Sequence, residues 1–425
     1  MKDVHPQRDA LHHEVHARPY ERMNAPLLLT HLALLSEGRG EREHLAQLLR
    51  GRQLPVPAET ASHVAIDLGG VRLRWEKHTE FHTCTFWKQL SAVPDDFDHP
   101  PLSDVPADWV AALPGQWLVG LHVLVEPASA SRDEVPARVR SLLSDDSLVG
   151  ARVMEGAADV YTDFRLYGDG FARWIVVATE GVTPRRLGRL VQRLLEIETY
   201  RMMALLGLPA AREVGTALGG AEKDLAEVAQ RIRSAQRDEE PELLRQLSQL
   251  AAGVEGVYAK THARFSASAA YFELVHRRID ELREDRVHNL QTLQEFMDRR
   301  LQPAMQTCSW AARRQQALSE RISRVSNLLR TRVEIEQQQS SRALLDAMNR
   351  RQKAQLLLQS AVEGLSVAAV TYYGAGLVGY LAKGAKSAGL NVAPDLAVAL
   401  AIPLIAVGVW LGIRRLHRVA QAAAD

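Results

Sequence analysis

The sequence has few cysteines, almost no net charge and a polar N-terminus. Its two cysteines, Cys84 and Cys308, lie far apart and form no CxxC pair, which fits a reducing cytoplasm and argues against a disulfide framework. With 52 Lys and Arg against 51 Asp and Glu, the net charge is +1, so no role in binding nucleic acid or other polyanions is indicated. The polar N-terminus does not have the pattern of a cleavable signal peptide, so none is expected.

Catalytic signature motifs are missing as well. There is no Walker A sequence, because residues 383–387 are Lys-Gly-Ala-Lys-Ser, and there is no Gly-x-Ser-x-Gly motif. Gly219 and Gly220 follow a helical segment and not a strand, so no dinucleotide-binding loop is predicted. We therefore expect a protein that is not an enzyme and has no resident cofactor.

Helix breakers are absent from a long C-terminal stretch. After Pro303, no glycine occurs before Gly364 and no proline before Pro394. As one helix, these roughly 60 residues would be about 90 Å long. We predict a stalk helix over residues 303–364. Within it, apolar residues that alternate spacings of four and three indicate a short coiled-coil seam, namely Leu318, Ile322, Val325 and Leu329.

Two uncharged apolar segments follow the predicted stalk helix. They cover residues 365–382 and 396–413, and the loop 383–395 separates them. Each has about 18 residues, the lower end of the length that spans a bilayer. Basic residues precede the first segment and follow the second, so the positive-inside rule predicts a bacterial inner-membrane hairpin with cytoplasmic termini and a tail at 414–425. The alternative is a pair of buried helices in a soluble protein.

Residues 1–180 carry the strand signals. Runs rich in β-branched and aromatic residues predict strands over 63–68, 71–75, 81–88, 117–125, 148–154, 158–164 and 171–178. Residues 23–38 are mostly apolar, whereas 41–49 and 134–143 have helical spacing. We predict a cytoplasmic α/β domain built on a mostly antiparallel or mixed sheet.

Helical spacing replaces the strand signals after this domain. A helix is expected over 184–206, closed by Gly207, within a helical domain over 181–302 that is interrupted near Gly253 and Gly256. The predicted fold class is an α+β membrane protein. It combines an N-terminal sheet domain, a helical layer, one very long helix and two C-terminal transmembrane helices.

Polar side chains on the stalk helix and the first apolar segment are candidates for a pore lining. The block 337–341 would line a hydrated channel if several copies of the helix surrounded an axis, and the alternative is a solvated helix face. Glu363 lies just before the first apolar segment, where an ionisable residue is a functional candidate. The candidates are Gln337, Gln338, Ser341, Asn349, Glu363, Thr371, Tyr372 and Tyr373.

The N-terminal region is rich in histidine. His12 and His16 are four residues apart and would share a helix face, and His5 could complete a metal site. A zincin motif needs His-Glu-x-x-His, whereas the sequence from His13 to His16 is one residue short of it. The favoured interpretation is that these histidines form hydrogen bonds to the sheet domain, and the metal site is the alternative.

The same N-terminal region carries a family resemblance. His5, Pro6, Arg8 and Leu11, followed by Glu-Val-His-Ala-Arg-Pro at 14–19, resemble the signature of a bacterial family catalogued as domain-of-unknown-function family 3422. The resemblance covers essentially the whole chain, including the C-terminal hairpin. Since that family has no established activity, the resemblance implies a bacterial membrane protein and nothing more specific.

The predicted architecture is also similar to that of CorA-type metal ion transporters. In that superfamily five copies assemble, and the long helix and the first span line a central pore. The resemblance implies a homopentamer with residues 337–341, Glu363 and the first span near the axis. The Gly-Met-Asn selectivity signature of that superfamily is missing here, and Tyr-Gly-Ala-Gly stands in its place at 373–376. The departure leaves magnesium selectivity open.

The leading prediction is a homo-oligomeric, pentameric channel or transporter that passes an ion, with divalent cations among the candidates. Its partners would be membrane lipid and further copies of the chain, and any metal ion would be transported and not resident. The alternative is a non-conducting scaffold or sensor that is anchored in the membrane and uses its cytoplasmic domain. Polar residues facing the axis over 337–363 would favour conduction, whereas an axis sealed by the leucines at 356–358 would favour the scaffold.

Overall fold

The computed structural model describes residues 3–9, 11, 12, 19–36, 38, 40–58, 61–128, 132, 134–388 and 393–422, with side chains up to residue 415. The chain forms two compact units, one that ends at Ser326 and one that begins at Asn327. The mixed α/β fold class is confirmed: an N-terminal sheet is followed by helices, and two long helices end the chain.

One large sheet organises the N-terminal unit. In the described part of the chain it has nine strands in the order β2-β3-β4-β1-β5-β8-β7-β6-β9, and only β5 and β8 are parallel. The strands are β1 Leu27–Leu35, β2 His63–Asp67, β3 Arg72–Lys77, β4 Phe81–Gln89, β5 Gln116–Pro127, β6 Val149–Val153, β7 Ala158–Thr162, β8 Ala172–Ala178 and β9 Asp285–Arg286. The seven predicted strands and the mixed character of the sheet are confirmed.

Strand β1 lies inside the sheet and pairs antiparallel with both β4 and β5. Leu28 and Leu32 point to one face of the sheet and Leu27 and Leu29 to the other, and all four are buried. A strand covered on both faces gives a continuous apolar run instead of an alternation. For this reason the sequence identified only an apolar region at 23–38.

Short helices cover the first face of the sheet. They are α1 Glu41–Gly51, α2 Ala107–Ala111 and α3 Ala137–Leu142, with 3₁₀ turns at Pro101–Asp104 and Asp145–Ser147. Leu45 and Leu49 of α1 pack with Leu73 and Phe86 of the sheet, and all four are at most 1% exposed. Val139 of α3 packs into a second apolar cluster on the same face.

Long helices cover the second face. Helices α4 Pro184–Leu205, α6 Glu240–Leu282 and α7 Leu293–Arg300 contact the sheet. Helix α5 Gly207–Ser234 packs on α6, and the first part of α8, which extends over Gln302–Ser387, pairs with α5 through Arg314 and Glu222. The side chain of Thr183 caps α4 by accepting from the N–H of Arg186, and Pro184 takes the first helical position. Leu190 and Leu194 bury the inner side of α4.

Some predicted helix boundaries were wrong. Gly253 and Gly256 lie inside α6, which is continuous, because packing offsets the roughly 1 kcal/mol that each glycine costs in a helix. The helix predicted over 184–206 is confirmed, because α4 ends at Leu205, and Gly207 then begins α5. After α6 the chain leaves the helix, and the two residues of β9 extend the sheet beside β6, too short a strand to give any periodicity.

The C-terminal unit consists of the rest of α8 and helix α9, Pro394–Ala422. The two helices are antiparallel neighbours, because a Cβ atom on Gly374 would lie 3.1 Å from Ile405 and one on Gly379 would lie 3.1 Å from Val398. Small residues at such positions let two helices approach closely. Because α8 is continuous from Gln302 to Ser387, the predicted stalk and the first apolar segment are parts of one helix.

Candidate functional site

Two helices of the described chain are long and apolar enough to cross a bilayer. One is the helical stretch that contains α8, and the other is Pro394–Arg415 within α9. Little of the apolar window is buried in the first and none of it in the second. Length and composition therefore support the predicted apolar pair, whereas the membrane itself and the side on which the termini lie stay predictions.

The eight predicted pore-lining residues all lie on α8, but they do not share one side of it. At about 3.6 residues per turn, Gln337, Ser341 and Tyr373 fall on the same side. Three others flank that side, namely Gln338, Asn349 and Glu363. Thr371 is half-buried on the side that carries the buried Ala375, and Tyr372 points to a third side.

One side of α8 forms a continuous exposed stripe. Its residues are spaced by three or four positions, or by sums of these, so they lie above one another on the helix. The exposed stripe consists of Gln337, Ser341, Leu344, Met348, Gln352, Gln355, Gln359, Val362, Ser366, Val370, Tyr373, Leu377 and Tyr380, all of which are exposed in the single chain. It lies opposite the side on which Ala375 and Ala382 are buried. Polar side chains thus recur on this side in the apolar segment, at Ser366, Tyr373 and Tyr380, with the apolar Val370 and Leu377 between them.

The structure does not support a metal site among the described N-terminal histidines. His5 and His12 are exposed, and the Nδ1 atom of His5 accepts a hydrogen bond from the N–H of Gln7 at 3.2 Å. His16 lies outside the described residues, so its part in the predicted site stays a prediction. Within the described part of the chain, no group of three or more His, Cys, Asp or Glu side chains could hold a metal ion.

A polar cavity of about 370 Å³ lies between the sheet and helix α4. Its sheet side is formed by alternate residues of β3 and β4, which share a face because Arg74 is opposite Thr85 and Glu76 is opposite Thr83. His31 joins the same face, since it is the β1 partner of Thr85. A polar face of this kind is unusual beneath a covering helix.

His31 is the centre of the cavity floor. Its Nδ1 atom lies 2.8 Å from Thr85 Oγ1 and its Nε2 atom lies 3.1 Å from Thr199 Oγ1, so both ring nitrogens have partners. Burial, and then the neighbouring His78 and Arg74, lower the pKa of His31 from 6.5 to about 3. His31 is therefore neutral at pH 7, and it ties the sheet to α4 through one donated and one accepted hydrogen bond.

Arg74 is the charged group on the sheet side of the cavity. It is 6% exposed, and it donates from Nη1 to Gln192 Oε1 and from Nη2 to Glu76 Oε1, each at 2.8 Å. Among the described residues, neither its Nε–H nor the hydroxyl of Thr83, which is 3% exposed, has a hydrogen-bond partner. Leaving a buried polar group unpaired costs about 1–3 kcal/mol. Two of the residues that line the cavity thus each carry an unsatisfied polar atom.

The helix side of the cavity combines paired charges with aromatic surface. Arg278 of α6 donates from Nε to Glu196 of α4, and its Nη1 donates to Glu281 at 3.0 Å. The ring of Tyr200 stacks on that of Tyr271 with centroids 5.7 Å apart, and burial raises the pKa of the Tyr200 phenol. This wall thus offers a neutral hydroxyl and ion pairs that are already satisfied.

The opposite face of the sheet has a smaller polar cluster. Thr30 Oγ1 lies 2.9 Å from His122 Nδ1, and the imidazole stacks on Phe171 with ring centroids 4.2 Å apart. Burial lowers the pKa of His122 from 6.5 to about 4. Asp169 lies 3.8 Å from His122 Nε2, and Arg173 lies beside it at 3.6 Å. The cluster is therefore uncharged at His122 and ion-paired at its edge.

The cavity was not predicted from the sequence, although one signal for it was present. Arg72 and Arg74 alternate with apolar residues in a strand, which ordinarily marks a solvent-facing side. In the structure that side is covered at Arg74, because Gln192 reaches Arg74 from 118 residues away. Alternating polar residues in a strand that packs beneath a helix indicate a binding site. The sequence alone does not show that α4 covers this strand.

The sheet, the covering helices and the apolar helix pair define an α/β protein with a C-terminal pair of helices of membrane-spanning length. The chain belongs to the family described as Protein of unknown function (DUF3422), which matches residues 3–420. The family predicted from the N-terminal run is thereby confirmed. Comparisons with curated proteins and with solved structures found no match, so the similarity to CorA-type transporters stays a prediction.

Proposed function

We propose that the protein is a homo-oligomeric membrane protein that passes an ion along an axis lined by the exposed stripe of α8. The observation that carries the proposal is the continuity of that stripe. Polar side chains follow one side of the helix from Gln337 through Ser366 to Tyr380, across the boundary between the stalk and the apolar segment. A stripe that served only to contact lipid would lose its polar residues where the apolar segment begins.

The apolar surface of α9 favours insertion in a bilayer. Leu400 and Leu404 are 60% and 74% exposed, and exposed apolar area costs about 25 cal/mol per Å² in water. At the end of the apolar segment, the guanidinium of Arg414 lies 4.8 Å from the ring of Trp410. Arginine and tryptophan are typical of the interface between lipid and water.

The position of the stripe favours several copies around an axis. The side of α8 that carries Ala375 is occupied by α9, so the stripe on the reverse side is free to face other copies. Leu344, Met348 and Val362 would supply apolar contacts between copies, and the glutamines would keep the axis hydrated. Glu363 beside the stripe would favour a cation over an anion. In a CorA-like assembly the number of copies would be five.

Ion flux from liposomes tests this function. Protein reconstituted with K⁺ and Mg²⁺ inside the liposomes should release at least one of them, and light scattering in detergent should give an oligomer of four or more copies. Gln337→Leu, which places an apolar group on the stripe, should lower the flux about tenfold, an added barrier of about 1.4 kcal/mol. The matched control is Gln339→Leu, because Gln339 is equally exposed on the reverse side of the same helix turn. A monomer or dimer, an absence of flux, or an equal loss in both variants would contradict the proposal.

The second candidate is a non-conducting, membrane-anchored sensor. The polar cavity between the sheet and α4 favours the sensor, because a binding site in the N-terminal unit would let that unit respond to a small molecule. The same liposomes distinguish the two functions. An oligomer that passes neither ion, with and without a cavity ligand, would favour the sensor.

A further inference from the structure

We propose that the cavity between the sheet and helix α4 binds a small monocarboxylate, with Arg74 and Thr83 as the groups that hold its carboxylate. The site is independent of the apolar helices, and it goes beyond ion passage because it assigns a ligand to the N-terminal unit.

The placement of the two groups carries the proposal. Arg74 directs its Nη2 atom to Glu76, whose cross-strand partner is Thr83, so the guanidinium and the Thr83 hydroxyl lie together on one sheet face. Both residues are more than nine-tenths buried and both line the cavity. Among the described residues, the Nε–H of Arg74 and the hydroxyl of Thr83 lack hydrogen-bond partners. A carboxylate can accept from a guanidinium N–H and from a hydroxyl at the same time.

The charges in the cavity disfavour a dianion. The positive charge of Arg74 is already partly balanced by Glu76 at 2.8 Å, and that of Arg278 by Glu196. A doubly charged phosphate would therefore meet two carboxylates with little positive charge left to offset them. A single carboxylate needs only the remaining hydrogen-bond donors.

The residues that line the cavity and its volume indicate the polarity and the size of the rest of the ligand. Phe81, Trp87 and Tyr200 line the cavity, so an apolar or aromatic body would be sheltered there. A volume of about 370 Å³ lies at the lower end of the range for small-molecule sites. The neutral His31 below adds polarity to the floor without adding charge.

Calorimetric titration of the full chain in detergent tests the site. The probes are acetate, benzoate and indole-3-acetate, with benzamide as the neutral analogue of benzoate and inorganic phosphate as the dianion. We expect at least one of the three carboxylates to bind, benzoate to bind more tightly than acetate, and benzamide and phosphate to bind about tenfold more weakly or not at all.

Three variants locate the binding. Arg74→Lys keeps the charge beside Glu76 but removes the Nε–H, and Thr83→Val keeps the shape but removes an unpaired hydroxyl, so Thr83→Val should fold at least as stably as the parent chain. Each should weaken carboxylate binding about tenfold or more. Arg173→Lys is the control, because Arg173 also has a buried Nε–H without a partner among the described residues but lies on the opposite face of the sheet. It should leave binding unchanged.

The proposal is overturned by any of three results. The first is that none of the three carboxylates binds at millimolar concentration. The second is that benzamide or phosphate binds as tightly as benzoate. The third is that Arg173→Lys weakens binding while the folded Thr83→Val variant does not. Because no step of the test measures ion flux, failure here leaves the proposed passage of ions untouched, and the reverse also holds.

Discussion

His82 is a buried histidine whose imidazole is poorly satisfied. It is 1% exposed, and neither ring nitrogen has a hydrogen-bond partner among the described residues. Burial lowers its pKa from 6.5 to about 4, although the charge of Glu41 opposes the shift. The folded chain therefore holds this ring neutral in a pH range where the unfolded chain would protonate it.

The variant His82→Leu tests whether the buried, unpaired imidazole lowers the stability of the fold. Because the variant removes two unpaired polar atoms at similar volume, it should raise the free energy of unfolding by about 1–2 kcal/mol at neutral pH. A histidine with a lowered pKa supports the fold above its unfolded value of 6.5, and the support is lost as the pH falls from there toward 4. At pH 5.5 the loss is about 1.4 kcal/mol in the parent chain and absent in the variant.

Thermal unfolding in detergent at pH 7.5 and pH 5.5 measures both effects. The variant should unfold at a higher temperature than the parent chain, and the difference should widen at the lower pH. His99→Gln is the control, because His99 is exposed in the same unit. A variant that is less stable at both pH values would mean that the imidazole makes a favourable interaction after all.

At the scale of elements, helix α8 has one side that is buried and a reverse side that is exposed. Ala375 and Ala382 are buried toward α9, whereas the exposed stripe on the reverse side holds both polar and apolar residues. A solvated helix would not need exposed Leu344 and Met348, which are 65% and 64% exposed. The composition of the stripe is thus typical of a helix contact that stays partly hydrated.

Cysteine cross-linking tests which side of α8 faces another copy. Gln337→Cys should form a disulfide between chains under mild oxidation, because the proposed assembly would bring the stripes of several copies together around an axis. Gln339→Cys should cross-link several-fold less, because it lies on the reverse side. The native Cys84 and Cys308 are 1% and 5% exposed and should not compete. Equal cross-linking of the two variants, or a stronger reaction at 339, would place the contact elsewhere.

Local patterns predicted most elements of the sheet but not their arrangement. Each of the seven predicted strands begins and ends within two residues of an observed one, because β-branched and aromatic runs between turns are a local signal. Strand β1 has no alternation, and β9 has only two residues, so neither was predicted. The hydrogen bond between His31 and Thr199 joins positions 168 residues apart, and no pattern in a single sequence contains that pairing.

At the scale of the whole molecule, the two units differ in the surface they expose. The N-terminal unit buries its large apolar side chains in the sheet core, whereas exposed ones follow closely along α8 and α9 from Leu344 onward. We expect a fragment that ends at Glu336 to be soluble and monomeric without detergent and to unfold in one cooperative transition. The full chain should need detergent.

Size-exclusion chromatography and circular dichroism of that fragment check this expectation. The spectrum should show both strand and helix. Aggregation of the fragment without detergent would mean that the N-terminal unit depends on the second unit.

The family and the mixed α/β class could be predicted from the sequence because they depend on a local motif and on local periodicity. The polar cavity could not, because it exists only once the sheet and α4 have packed together.

The short strand β9 also sets an order of events during synthesis. Because β9 completes the edge of the sheet, the sheet cannot be finished until Arg286 has left the ribosome. The first apolar segment begins about 80 residues later, which takes several seconds at roughly 5–20 residues per second. Mixed α/β domains commonly fold within milliseconds to seconds. The sheet thus has time to form before the first apolar segment leaves the ribosome.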